Sequence, residues 1–135
     1  MKHLKPFNEA VGDTFKEELQ DFCETNLAYL LDEEDTKINV TELTSFIEVE
    51  LTLNSKKWTE IKDHIIPFVT RLQNNYIIKG IDIIFVNSWK ETSILTINTQ
   101  DLINENPRYS KDLQTDYINI FQFYINKYTS INTPK

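Results

Sequence analysis

Ile47, Val49, Leu51 and Leu53 alternate with Glu48, Glu50 and Thr52. Successive side chains of a strand point to opposite faces, so a period of two fixes both the element and its orientation. The segment from Phe46 to Leu53 therefore predicts a half-buried strand, apolar toward a core and carboxylate-bearing on its outer surface. Tyr76 to Val86 is apolar on both sides. Ile77, Ile81, Ile83 and Phe85 share one face, and Ile78, Ile84 and Val86 share the other, which Asp82 interrupts. A run of this length and composition predicts the central strand of a sheet. Ile38 and Val40 alternate with polar residues and predict a short strand, and Ser93 to Thr99 predicts another after a turn around residues 87–92.

Helical periodicity separates these strands. Asp13 is a good N-cap, and Phe15, Leu19, Phe22, Cys23, Tyr29 and Leu30 fall on one face of a helix from Asp13 to Leu31. Asn26 projects into that face, where its amide either fixes a neighbouring loop or meets a ligand. Asn54 and Ser55 precede a second helix, Lys56 to Gln73, striped by Trp58, Ile61, Ile65, Phe68, Val69 and Leu72. Pro67 lies inside it and predicts a kink or a break, because it has no N–H and crowds the carbonyl of Asp63. A third helix is read from Ser110 or Asp112 to Tyr128. On a wheel, Tyr117, Ile118, Ile120, Phe121, Tyr124, Ile125 and Tyr128 share one face, while Phe123 falls among polar residues. An outward Phe123 marks either a partner or self-association surface, or a lone exposed apolar residue.

The expected fold is α+β in the order α-β-β-α-β-β-α, a single four-stranded mixed sheet with helices mainly on one face. The strand–helix–strand unit supplies a parallel crossover. A chain of 135 residues fits one domain, read here as residues 13–130 after a leader at 1–12 and before a frayed tail at 131–135.

Composition narrows function mainly by exclusion. Apolar residues make up 40% and aromatics 12%, which is too hydrophobic for a disordered chain. Gly12 and Gly80 are the only glycines, so no glycine-rich phosphate cradle or dinucleotide fingerprint is possible. Cys23 is the only cysteine, so no internal disulfide forms. The chain has no long apolar opening segment and no run that reaches the roughly 20 residues of a spanning helix, and a cytoplasmic location is expected. Residues 1–51 hold 13 acidic and 4 basic residues, and the remainder hold 8 and 10. The net charge of −7 thus originates in the first third. Such a surface repels phosphate, and it either docks a basic partner or mimics nucleic acid, or serves solubility.

Asp32, Glu33, Glu34 and Asp35 follow the first helix, where carboxylates oppose the helix dipole. A calcium loop beginning at Asp32 needs glycine at its sixth position and glutamate at its twelfth, but these are Lys37 and Leu43. The four acids are therefore read as a solvated turn and a candidate contact surface. Glu48, Glu50 and Asp82 are the candidate catalytic carboxylates. Three clustered acids hold magnesium for phosphoryl chemistry if strands 46–53 and 76–86 pair. His3 and His64 have no second ligand at metal spacing, and no metal or cofactor is expected. Trp89 and Lys90, at a hairpin tip, have the chemistry to stack a base and hold a phosphate, but no nucleic-acid signature accompanies them.

Residues Lys2 to Glu9 resemble the short leader found on many small proteins of large tailed bacteriophages. Phe22 to Asp32 and Trp58 to Phe68 are similar to stretches in uncharacterised members of that set. The resemblance carries no catalytic residues. It implies a viral accessory role, either a virion component or a binder of a host target, located in the host cytoplasm or the virion. The leading expectation is a non-enzymatic protein-interaction module. Its contact surfaces are Asp32, Glu33, Glu34, Asp35 and Phe123, with self-association possible through the last helix. The alternatives are a metal-dependent phosphoryl-transfer enzyme using Glu48, Glu50 and Asp82, and a single-strand nucleic-acid binder using Trp89 and Lys90.

Overall fold

The computed structural model describes residues 7–33, 35–86 and 89–126. Helix α1 (Phe7–Asn26) and the single turn α2 (Ala28–Leu31) lead into a hairpin of β1 (Lys37–Glu42) and β2 (Phe46–Lys56). Helix α3 (Trp58–Asn75) joins β2 to a second hairpin, β3 (Ile78–Val86) and β4 (Thr92–Ile97). Short α4 (Thr99–Ile103), a 3-10 turn at Pro107–Tyr109 and α5 (Ser110–Thr115) then deliver the chain to β5 (Tyr117–Asn126). The five strands form one sheet in the order β1-β2-β5-β3-β4, every neighbouring pair antiparallel. The fold is α+β, with five strands rather than four and an antiparallel rather than mixed sheet.

The difference lies in β5. The segment read as the last helix, ending at Tyr128, is in fact the middle strand of the sheet over Tyr117–Asn126. Its inner face is apolar and its outer face mixes Ile120 and Tyr124 with Gln122 and Asn126, so the segment satisfies a helical wheel as well as a strand. The arbiter is residue type: Ile, Phe and Tyr dominate it, and these favour the pleated, packed surface. The residue that fitted the helix worst, Phe123, is the one that reveals the strand. Phe121, Phe123 and Ile125 alternate into the core, all 0% exposed. Phe123 is therefore a core residue and not a contact surface, and no last helix exists there for self-association. Strands 46–53 and 76–86 do not pair either. β2 and β3 run parallel to one another with α3 crossing between them, as the strand–helix–strand pattern implied, but β5 fills the gap and is antiparallel to both.

The first helix also departs from its expected bounds. α1 starts at Phe7, inside the segment read as a leader, and stops at Asn26. Leu27 leaves helical geometry with φ −115° and ψ 16°, and α2 then resumes. Leu27 and Leu30 continue the buried stripe of Leu19 and Cys23, while Tyr29 falls off it and is 74% exposed. Residues 1–6, with His3, and the tail at 131–135 lie outside the described residues.

α3 carries the stripe that periodicity gave it: Trp58, Ile61, Ile65, Phe68, Val69 and Leu72 are all buried. It starts later than Asn54 and Ser55 imply, because β2 continues to Lys56 through a register shift in which Ser55 has φ 48°. At the helix start, the Lys57 N–H donates to Glu60 Oε1 at 2.9 Å, and the Glu60 N–H donates to the Lys57 carbonyl at 2.9 Å. This exchange satisfies donors that a helix start leaves open. The helix runs through Pro67 without ending and restarting.

The core lies between α1, α3 and one face of the sheet. Phe68 packs edge-on to Phe123 at 5.5 Å, and Trp58 meets Phe121 at 6.4 Å between ring centroids. Alternate strand residues face the helices: Ile47, Val49, Leu51 and Leu53 from β2, Ile81, Ile83 and Phe85 from β3, Phe121, Phe123 and Ile125 from β5. The intervening residues of the same strands are only half-buried. The sheet thus has a covered face and an open one.

Candidate functional site

The polar alternation of β2 decides what the open face carries. Because Ile47, Val49 and Leu51 turn inward, Glu48 and Glu50 must turn outward. Cross-strand register then lines up two rows. Asn39, Glu50, Gln122, Asp82 and Thr96 lie opposite one another across all five strands. Thr41, Glu48, Tyr124 and Gly80 form the row beside it. Neither row contains a basic residue. Beyond the Glu50 row, Lys37, Thr52, Ile120, Ile84 and Ile94 form a row that starts with a lysine on β1 and turns apolar toward the outer strand β4.

Asp82 is the hub of the polar rows. Thr96 Oγ1 donates to its Oδ1 at 2.7 Å, and the Tyr124 hydroxyl lies 3.1 Å from its Oδ2. The same hydroxyl lies 2.9 Å from Gln122 Oε1. With one proton to give, Tyr124 serves one of these acceptors at a time. Phe46 packs edge-on against its ring at 5.6 Å. Burial, then the hydrogen bond to Asp82, then the charges of Asp82, Glu48 and Glu50 push the Tyr124 pKa up to about 12. The phenol is therefore a neutral donor at physiological pH, not a base or a nucleophile.

The three candidate carboxylates share this face, but Glu50 and Asp82 stand on either side of Gln122. Strands lie about 4.8 Å apart, so two intervals separate their backbones by roughly 10 Å. Among the described residues, no three His, Cys, Asp or Glu side chains are placed to hold a metal ion. The arrangement spreads negative charge over a surface; it does not focus it at a point.

The acidic turn lies elsewhere. Asp32, Glu33 and Asp35 are exposed, and Asp35 takes a left-handed conformation with φ 67°. Glu33 is paired with Lys56 Nζ at 2.7 Å, which raises the lysine pKa and ties the turn to the end of β2. Glu34 lies outside the described residues. Trp89 is 82% exposed and Lys90, with φ 64°, is beside it in the turn between β3 and β4. Asn26 donates to the Phe22 carbonyl at 2.8 Å and accepts from Arg71 Nη1 at 3.2 Å, so it links α1 to α3. Cys23 is buried in the core, where desolvation and the charge of Glu24 push its thiol up to about 12, so it is an inert packing group. His64 lies beside the Tyr29 ring at 4.9 Å.

Tyr124, Gln122 and Thr96 were not legible as site residues, since two of them sit in the segment read as a helix. The available signal was the alternation of Gln122, Tyr124 and Asn126 with Phe121, Phe123 and Ile125. Among the described residues, no helix is long and apolar enough to cross a membrane. Comparison with protein families, with curated proteins and with solved structures finds no match for this chain.

Proposed function

We propose that this chain is a non-enzymatic protein-interaction module that presents the open face of its sheet to a basic partner. One observation carries the reading. Glu48, Glu50 and Asp82 lie in two adjacent rows that hold no basic residue, beside the apolar row of Ile120, Ile84 and Ile94. Among the described residues, none of the three carboxylates is in an ion pair. Complementary charge steers a partner and sets its orientation, while apolar area that loses water supplies affinity. The face offers both side by side. Asp32 and Asp35 add negative charge before β1, which forms the near edge of the sheet. The resemblance to small proteins of tailed bacteriophages supports an accessory role, with a host or virion protein as the partner.

The test is affinity capture from a bacterial lysate, comparing the wild-type chain with a Glu48→Lys, Glu50→Lys variant of unchanged circular dichroism. The reading requires a stoichiometric protein that the wild type retains at low salt. The variant must release it, and so must about 0.5 M salt, where the screening length shrinks to a few ångströms. A partner retained equally by both chains places binding elsewhere. Nucleic acid recovered in place of protein moves Trp89 and Lys90 to the front.

A further inference from the structure

We propose that β4 is a self-association edge: two copies of this chain pair their β4 strands antiparallel, about a two-fold axis at Ile94, into one continuous sheet.

β4 is the terminal strand and is paired only with β3. Alternate residues of such a strand turn their N–H and C=O groups outward, a template for another strand. Proteins usually blunt this template with a charge, a proline, a bulge or a cover. β4 reads Thr92-Ser93-Ile94-Leu95-Thr96-Ile97, with no charge and no proline. Its register with β3 has no shift, whereas the β2–β5 pairing has one and the β3–β5 pairing two. Thr92, Ser93, Ile94 and Thr96 are exposed, Ile94 by 65%.

Charge selects the occupant. The acidic first third of the chain forms α1, α2, β1 and most of β2, and β1 is the opposite edge of the sheet. Four strand intervals, roughly 19 Å, separate β1 from β4. Two copies joined at β4 keep their acidic halves at the far ends, whereas joining at β1 brings them together. β1 is also guarded by charge, opening with Lys37 and closing with Glu42. An uncharged strand of hydroxyl and aliphatic residues fits the β4 edge, and β4 itself is such a strand. A closed two-fold pair uses each edge once and is isologous.

The side chains fix the register. Pairing Ile94 with its own mate sets Thr92 opposite Thr96 and Ser93 opposite Leu95. The row Ile120, Ile84, Ile94 then continues into the same row of the second copy. Aliphatic residues directly opposed across strands stabilise the pair. The contact is small, so the association is weak and depends on concentration.

Sedimentation equilibrium of the full chain from about 1 µM to about 1 mM spans the affinities expected of such a contact. The wild type passes from monomer to dimer over this range, and Ile94→Lys raises the dissociation constant at least about 10-fold. An Ile94→Cys chain, oxidised, cross-links to a covalent dimer, because paired strand positions lie within disulfide reach. Thr41→Cys on β1 does not. Buried Cys23 leaves the background silent, and the cross-link gives an answer even if the lysine variant fails to fold. A wild type that stays monomeric throughout overturns the proposal. So does a dimer that Ile94→Lys leaves intact, equal cross-linking at Thr41, or growth beyond two copies.

Discussion

The Asp82 carboxylate takes a hydroxyl from each neighbouring strand, Thr96 on one side and Tyr124 on the other. Its charge is met by neutral donors, and the burden falls on the tyrosine, whose pKa rises from 10.0 to about 12. Below pH 10 the phenol is protonated in both folded and unfolded chains. Between these two values the unfolded chain loses the proton first, so the folded chain holds more protons and stability falls as pH rises. The stability that wild type holds over Tyr124→Phe should therefore be constant up to pH 10 and shrink as pH approaches 12. Urea midpoints at a series of pH values check this. A difference that does not change with pH means that Tyr124 is not held neutral by this network. Phe123 allows a simpler test. It is 0% exposed and packs on Phe68 and Phe121. Phe123→Ala should cost about 3–5 kcal/mol, the usual result of emptying an aromatic site. A surface position loses less than about 0.5 kcal/mol. Denaturant unfolding separates the two.

At the scale of elements, legibility followed the contrast between faces. β2 and α3 have one apolar and one polar side, and their sequences revealed element, boundaries to within a few residues and orientation together. β3, apolar on both sides, was still readable because Gly80 and its β-branched isoleucines spoke against a helix. β5 carries Ile120 and Tyr124 among the polar residues of its outer face and has no glycine, and the long helical arc it also satisfies concealed it. That misreading hid the site as well as the topology. Glu48 and Glu50 share a face through local alternation alone, whereas their relation to Asp82 depends on a strand 40 residues later in the chain filling the space between. No local signal encodes that insertion. Because β5 is paired on both sides, its amides should be the last to exchange with deuterium, and those of β1 and β4 should include fast alternate positions. Exchange of residues 118–125 as fast as the edge strands would contradict the central placement.

For the whole molecule, the order β1-β2-β5-β3-β4 means that the two hairpins never touch through their backbones. Each is a local unit, and among the described strands β5 alone pairs with both. The sheet cannot close until β5 enters, and the contacts it makes are long-range in sequence, which slows folding. A chain ended after Asp116 loses Ile118, Phe121, Phe123 and Ile125 from the core and leaves β2 and β3 with exposed inner edges. It should retain helical circular dichroism, bind a hydrophobic dye and lose its cooperative unfolding transition. A synthetic peptide of residues 117–126 supplied in trans should restore that transition, since the gap it enters offers two strand edges and an apolar slot. Cooperative unfolding of the shortened chain without the peptide would mean that the hairpins close on each other directly. In that arrangement Glu50 and Asp82 would become neighbours, and the acidic face would contract from a surface into a cluster.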